Sequence, residues 1–379
     1  MKVSDWILEE WTFLLKSKRM WIILLLVPLF FTFLFGSVYS GGKLRLLPVA
    51  FLDEDHSELS RQVMQAFDSS EVFSVREEVR SEDGLVHQIE LGEAEVGVVI
   101  PKGFEKAVTR GERGELMTII DGSNIMVVNS ALNSANEIVQ TFSGGISIKR
   151  VEAKGLTDDS VFSLRFAHRM LYNPGLSYSI FMPLGLVSAL VQQVLLLAIA
   201  LSVVRYKPLR VVPLGKWIYA KTVPYFWLGL FLVMSTMGIL IKGYDFPFVG
   251  QTSQMLLLTV LFVFALVGLG MLISAISPNA LQATQISMLL ALLSFPLSGY
   301  TWPFISMPKA LVSVAHVFPL TYYLDGLQKI AVKGSDWIQI QGDLVGLLLI
   351  AAVTFSITWF LLKVNSLGQV EGRHPLDHN

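Results

Sequence analysis

Six apolar stretches, each close to the length of a bilayer-crossing helix, constrain this sequence more than any other feature. They are Met20–Val38, Tyr178–Val204, Trp217–Ile241, Thr252–Ile276, Ala283–Tyr300 and Leu344–Leu362. A hydrocarbon layer about 30 Å thick needs roughly twenty residues of helix to cross it, and a helix satisfies its own backbone polar groups on the way. The one formal charge inside the stretches is Lys221, read here as one turn from an end and able to snorkel. The fold class that follows is a polytopic α-helical membrane protein with six spans.

The charge that the spans lack is concentrated elsewhere. Only 16% of the 379 residues are charged, against roughly 25% in ordinary soluble chains. Of the 30 acidic residues, 21 fall between Lys43 and Arg169, whereas Met170–Leu324 contains one, Asp245. The polar block is therefore a domain inserted after the first span. Within it, Leu47–Asp53, Val72–Val79, Glu95–Pro101 and Leu116–Asp121 read as strands. Ser57–Phe67, Ser81–Leu91, Gly103–Arg110 and Asn124 to about Val151 read as helices, with Ser57 or Asp55 as a cap and Asp158–Tyr172 as the return to the membrane. Alternation of this kind predicts a compact α/β domain.

Orientation follows from the cations that flank the spans. Lys16, Lys18 and Arg19 precede the first, Arg205, Lys207, Arg210 and Lys216 separate the second and third, and Lys363 follows the sixth. Both termini are then cytoplasmic and the inserted domain is extracytoplasmic, with Lys309, Lys329 and Lys333 counting mildly against. The first stretch is longer than a signal peptide's apolar region, and Phe35–Gly42 makes a poor cleavage site, so it reads as a retained span. Trp21, Tyr39, Tyr178, Trp217, Tyr219, Tyr300, Trp302 and Trp337 form the expected interfacial belt. Ahead of the first span, Trp6, Ile7, Trp11, Leu14 and Leu15 share a helical face, with Asp5, Glu9, Glu10 and Lys16 away from it. That pattern predicts a helix lying in the cytoplasmic interface. The segments are thus 1–19 (interfacial helix), 20–40 (first span), 41–175 (extracytoplasmic domain), 176–363 (spans two to six, with an outer re-entrant helical segment near 301–335) and 364–379 (cytoplasmic tail).

The chemistry is mostly negative. No P-loop, His-Glu-x-x-His or Gly-x-Ser-x-Gly sequence occurs, there is no cysteine, and no basic run suggests nucleic acid. No catalytic, cofactor or metal site is read. Asp53-Glu54-Asp55-His56 has the residue types of a metal cluster but reads as a solvated turn closing a strand, since ligands should converge from several elements. Coupled transporters usually hold carboxylates or histidines within their spans, and none stands inside the six stretches. The polar side chains at depth are Gln192, Gln193 and Gln285, placed to line a translocation path or, the preferred reading, to join helices by hydrogen bonds. Any pumping must then be driven from another subunit.

Several segments, taken in order, resemble the ABC type-2 exporter permeases, in particular the branch with a large extracytoplasmic domain between the first and second spans. They are Leu47–Arg61, Gly97–Phe104, Ile120–Asn124, Tyr172–Gly175, and Ser298–Pro308 followed by Phe318–Tyr322 and Asp325–Leu327. The resemblance implies a permease subunit that pairs with a second copy or a homologue and exports an amphiphilic, lipid-like, drug or polymer substrate. It also implies a cytoplasmic ATPase subunit, which would carry the ATP and magnesium, and contact with membrane lipid, and it leaves room for a periplasmic adaptor in a bacterial inner membrane. Docking of the ATPase is expected on the first helix and the loop after the second span, with Glu9, Glu10, Arg205, Lys207 and Arg210 as candidates. The loop departs from the family pattern: Val204–Lys216 is short, basic and broken by Pro208 and Pro213, where an acidic Gly-Thr helix is usual. The other reading is a membrane-anchored binding or assembly protein that recruits an outer partner without pumping.

Overall fold

The computed structural model describes residues 2–40, 46–110, 112, 114–121, 125–154, 180–205 and 213–371. The chain divides into a membrane unit, Met1–Ser40 with Ser179–Asn379, and an inserted unit, Gly41–Tyr178. Asp158–Tyr172, read as the return to the membrane, lies outside the described residues, as do Lys207 and Arg210.

The chain opens with α1 (Val3–Lys16) and α2 (Lys18–Trp21), then a single π-helical turn, Ile22–Leu26, that runs into α3 (Val27–Tyr39). Pro28 explains the turn. It has no N–H to donate and its ring crowds the carbonyl four residues back, and the ladder widens so that Val27 N–H bonds Ile22 C=O instead.

In the inserted unit the order is β1 (Leu47–Asp53), α4 (Glu58–Asp68), β2 (Phe73–Glu78), α5 (Glu82–Glu90), β3 (Val96–Ile100), α6 (Phe104–Arg110), β4 (Met117–Ile120) and α7 (Ile125–Lys154). The sheet runs β2-β1-β3-β4, with β1 parallel to both neighbours and β4 antiparallel to β3. Helices cover both faces, and so the central strands are apolar throughout rather than alternating. On one face Phe51, Val63, Phe67, Phe73, Val98 and Phe104 pack together; on the other Ala50, Leu52, Leu85 and Val99 do. Gly97 permits this second layer, because a Cβ there would stand 2.7 Å from Leu85 Cδ2.

The turn after β1 is closed by side chains. Asp53 Oδ1 accepts from the backbone N–H of Asp55 and His56 at 3.0 Å each, and its Oδ2 accepts from Ser60 Oγ at 2.6 Å. Ser57 Oγ caps α4 by accepting from Ser60 N–H at 3.1 Å. Asp55, the other candidate cap, instead holds the start of α6, accepting from Gly103 N–H at 2.7 Å and Glu105 N–H at 2.9 Å. Desolvation works to raise the Asp55 carboxyl, but bonds from Ser57, Glu105, Gly103 and Phe104 outweigh it and hold it below its ordinary value.

The membrane unit continues with α8 (Met182–Arg205), α9 (Leu214–Gly243), α10 (Thr252–Ile276), α11 (Ala280–Leu297), α12 (Lys309–Ala315), α13 (Pro319–Ala331) and α14 (Trp337–Glu371). Six helices among the described residues are long and apolar enough to cross a membrane: Ile22–Tyr39, Met182–Ser202, Leu214–Gly243, Thr252–Ile276, Ala280–Leu297 and Trp337–Val364. Helices α8 and α10 form the buried centre, and α10 packs against α8, α13 and α14. Close approach depends on small residues: Gly268 faces Thr354 and Phe355, and Gly270 faces Ile199. Between α11 and α14 the chain turns at Gly299, at φ 80°, and α12 and α13 are each too short to span. Leu320, Tyr323, Leu324, Leu327 and Ile330 bury one face of α13 in the bundle, with Tyr323 stacked on Phe262 at 3.9 Å.

Candidate functional site

The first helix begins where Lys2 N–H donates to Asp5 Oδ2 at 2.8 Å. It lies against α9. Its inward line runs through Ile7, Glu10 and Leu14, spaced three and four residues apart, as side chains on one helical face must be. Leu14 joins the main core of the bundle. Glu10 lies in the middle of that line and is 1% exposed.

This corrects the sequence reading, which put Glu10 with Glu9 on the polar face. Glu9 is exposed, Glu10 is inside, and Leu15, expected on the apolar face, is 57% exposed. The periodicity contained the signal, since Glu10 is bracketed by Ile7 and Leu14 on the same line; its charge argued the other way.

Glu10 is buried because its charge is matched. Its Oε2 forms an ion pair with Lys221 Nζ, and its Oε1 accepts from Ser202 Oγ at 2.5 Å and Tyr225 OH at 2.8 Å. Lys221 is 7% exposed and Tyr225 fully buried. One carboxylate thus ties α1 to the end of α8 and to α9, where Lys221 and Tyr225 stand one turn apart. Lys221 does not snorkel. Helix α9 starts at Leu214 rather than Trp217, which sets Lys221 seven residues inside, about 10 Å along the axis.

A second buried acid was also missed. The sixth span begins at Trp337, so Asp343, just outside the expected Leu344 boundary, falls within it and is 4% exposed. Lys329 of α13 reaches it at 2.8 Å and Asp325 at the same distance. The expectation of spans without buried titratable groups is therefore corrected at Lys221 and Asp343: Lys221 is paired with the buried Glu10 of α1, and Asp343 with the half-buried Lys329, which also holds the exposed Asp325.

The glutamines separate in the same way. Gln192 is buried on α8, and its Nε2 donates to Ser294 Oγ on α11 at 2.5 Å, which joins two helices. Its Oε1 has no partner among the described residues. Gln193 is half-buried and Gln285 is exposed on α11. Arg205 ends α8, and the loop beyond it, from 206 to 212, is outside the described residues. In the inserted unit, the ligand atoms of Asp53, His56 and Glu78 lie within 4.8 Å of one another, but both Asp53 oxygens already hold the turn and the other two side chains are exposed.

Six helices long and apolar enough to cross a membrane, with α1 fastened to two of them through Glu10, make up the membrane unit. The chain is 26% identical to the "Probable multidrug ABC transporter permease YbhR" of Escherichia coli (strain K12), over 83% of this chain and 86% of that protein. It is 24% identical to "Probable multidrug ABC transporter permease YbhS" of the same organism, over 92% and 93%. To "Linearmycin resistance permease protein LnrN" of Bacillus subtilis (strain 168) it is 23% identical, over 92% and 95%. The family model described as ABC-2 family transporter protein matches residues 18–360, and the chain belongs to that family of membrane transport subunits.

Proposed function

We propose that this chain is the permease half of an exporter in a bacterial inner membrane, working as a dimer with a second copy or a homologue. A separate cytoplasmic ATPase drives it, and the substrate is amphiphilic. The names of its relatives, multidrug and linearmycin resistance permeases, favour that substrate class. In this reading both termini face the cytoplasm and the inserted unit stands outside.

The observation that carries the proposal is the Glu10–Lys221 pair with its Ser202 and Tyr225 partners. A helix that only rested on a membrane surface would have no use for a buried, fully hydrogen-bonded carboxylate. The network makes α1 rigid with α8 and α9, so that a push on α1 turns two spanning helices. The exposed Glu9 and the basic segment from Arg205 are then the docking surface. ATP and magnesium bind in the partner, and this chain supplies the path and the lever.

The test is purification of the tagged full chain from its own membranes. A Walker-motif ATPase should accompany it, and vesicles containing the complex should accumulate an amphiphilic dye only with ATP. Glu9→Lys should weaken ATPase association at least severalfold without altering insertion. Dye movement by this chain alone, driven by a proton or sodium gradient, would overturn the reading. A complex with outer-domain partners and no ATPase would favour the assembly-protein alternative.

A further inference from the structure

At the end of the bundle where α3 and α9 finish, the helices part around a cavity of about 610 Å³. Its walls include Ile180, Pro183, Leu240, Phe246 and Pro247, and its polar groups are Tyr39, Ser40, Tyr244 and Asp245. Among the described residues no lysine, arginine or histidine lines it. The volume falls in the range of small-molecule pockets, about 300–1,000 Å³, and the lining is polar and apolar in near-equal measure.

Asp245 is the unusual member. It follows the Tyr244 C-cap of α9 at φ 50°, the left-handed position where glycine or asparagine is the usual choice. An acid there meets the negative end of the helix dipole, which disfavours it. Among the described residues no ion pair or hydrogen bond offsets that cost, whereas Glu10 and Asp343 are both paired. Capping does not explain the charge. It is also the single acid from Met170 to Leu324, and it stands exposed at the mouth of the cavity, where an entering cation would meet it.

The tyrosines supply the rest. Tyr244 is held in place, with its OH donating to Phe33 C=O at 2.9 Å and 2.7 Å from Ser37 Oγ. A fixed aromatic wall beside a lone carboxylate suits a soft organic cation, which gains from charge and from the face of a ring.

We propose that this cavity binds a monocationic amphiphile, an ammonium or comparable organic cation on an apolar body, with Asp245 as counter-ion and Tyr39 and Tyr244 as its aromatic walls. It deepens the exporter reading by naming the substrate class, and it rests on that reading only for the consequence of binding. A transported solute and the ammonium headgroup of a membrane lipid share this chemistry.

The probe is tritiated tetraphenylphosphonium, titrated by scintillation proximity onto the purified full-length protein. Asp245→Asn removes the charge and keeps a residue at home at positive φ; it should weaken binding at least tenfold while elution volume and melting temperature stay those of wild type. Gly243→Phe plugs the cavity from a helical position where the nearest atom to a new Cβ, Ile239 Cγ2, is 3.9 Å away, and it should weaken binding as much. Tritiated tetraphenylborate, of the same shape and opposite charge, titrated in a separate sample because the two ions precipitate each other, should not bind. Nanodiscs containing phosphatidylethanolamine rather than phosphatidylglycerol alone distinguish the sources. Weaker phosphonium binding in the former, lost in Asp245→Asn, assigns the site to a lipid headgroup; no lipid dependence assigns it to a free cation. Equal affinity in wild type and Asp245→Asn, unchanged affinity in Gly243→Phe, or borate binding as tight as that of the phosphonium each overturns the site. Failure of ATP-driven transport with binding intact would sink the exporter reading and leave the pocket standing.

Discussion

Glu10 and Asp245 are both carboxylates of the membrane unit, and they are treated in opposite ways. Glu10 is surrounded by partners: a lysine, a serine and a tyrosine satisfy both oxygens in a water-poor place. Asp245 is exposed at the mouth of a cavity, with no partner among the described residues. A charge that is buried and fully matched makes a joint, because any relative movement of the helices it connects must break it. An open charge stays available. The difference is one of surroundings: Glu10 is held between three helices, and Asp245 is open to solvent.

That contrast is broken most easily at Glu10. Glu10→Gln leaves Lys221 buried without its counter-charge, and loss of one partner of a buried pair costs about 3–5 kcal/mol. The expected outcome is a large fall in melting temperature or in yield of folded protein. Replacing both partners, Glu10→Leu with Lys221→Met, should recover most of that stability. A single variant that melts within a degree of wild type would mean that the pair is not closed.

Gly36→Ala tests the wall of the cavity. The new Cβ would stand 2.4 Å from Tyr244 Cε2, so the ring must move and release its bonds to Phe33 and Ser37. Overpacking of this kind costs about 1–3 kcal/mol, visible as a lower melting temperature together with weaker phosphonium binding.

For Asp245→Asn the expected stability change is within about 0.5 kcal/mol, far from the Glu10 result although both remove one negative charge. Thermal unfolding of the two variants side by side checks this. A large loss in Asp245→Asn would reveal a structural partner and weaken the contrast.

The smallest effect is expected at Asp55, outside the bundle. Its folded-state pKa is lowered, so its contribution is present above the ordinary value of 3.8 and is lost as pH falls through the lower folded value. Asp55→Asn removes that contribution at neutral pH, and the variant should lose less stability than wild type on acidification below about pH 4. Because the carboxylate is part-exposed, solvent screens it and the change is small. Unfolding followed from pH 6 to pH 3 would show parallel curves if Asp55 plays no part.

How much of this was legible in the sequence depended on how local the physics is. The strands and helices of the inserted unit lie within one residue of their expected limits, apart from the end of α7, which runs three residues further, because alternation between apolar runs and capped helices is decided by neighbouring residues. Ser57, one of the two expected caps, does cap α4, and Ser81, read as the first residue of a helix, is the cap of α5. Glu10 and Asp343 were misplaced for the opposite reason. A glutamate on an amphipathic helix is ordinarily solvated, and only the arrival of Lys221, Ser202 and Tyr225 from distant parts of the chain makes its burial favourable. Gln192 is an intermediate case, legible as a polar group at depth but not as the partner of Ser294.

The sequence by itself determined the six crossings and the inserted α/β domain, since length, hydropathy and period act along the chain and need no partner. Which charges are joints and which are open was decided only in the folded bundle. The energy of a charge depends on what surrounds it within a few ångströms, and those surroundings come from residues as far as two hundred positions away.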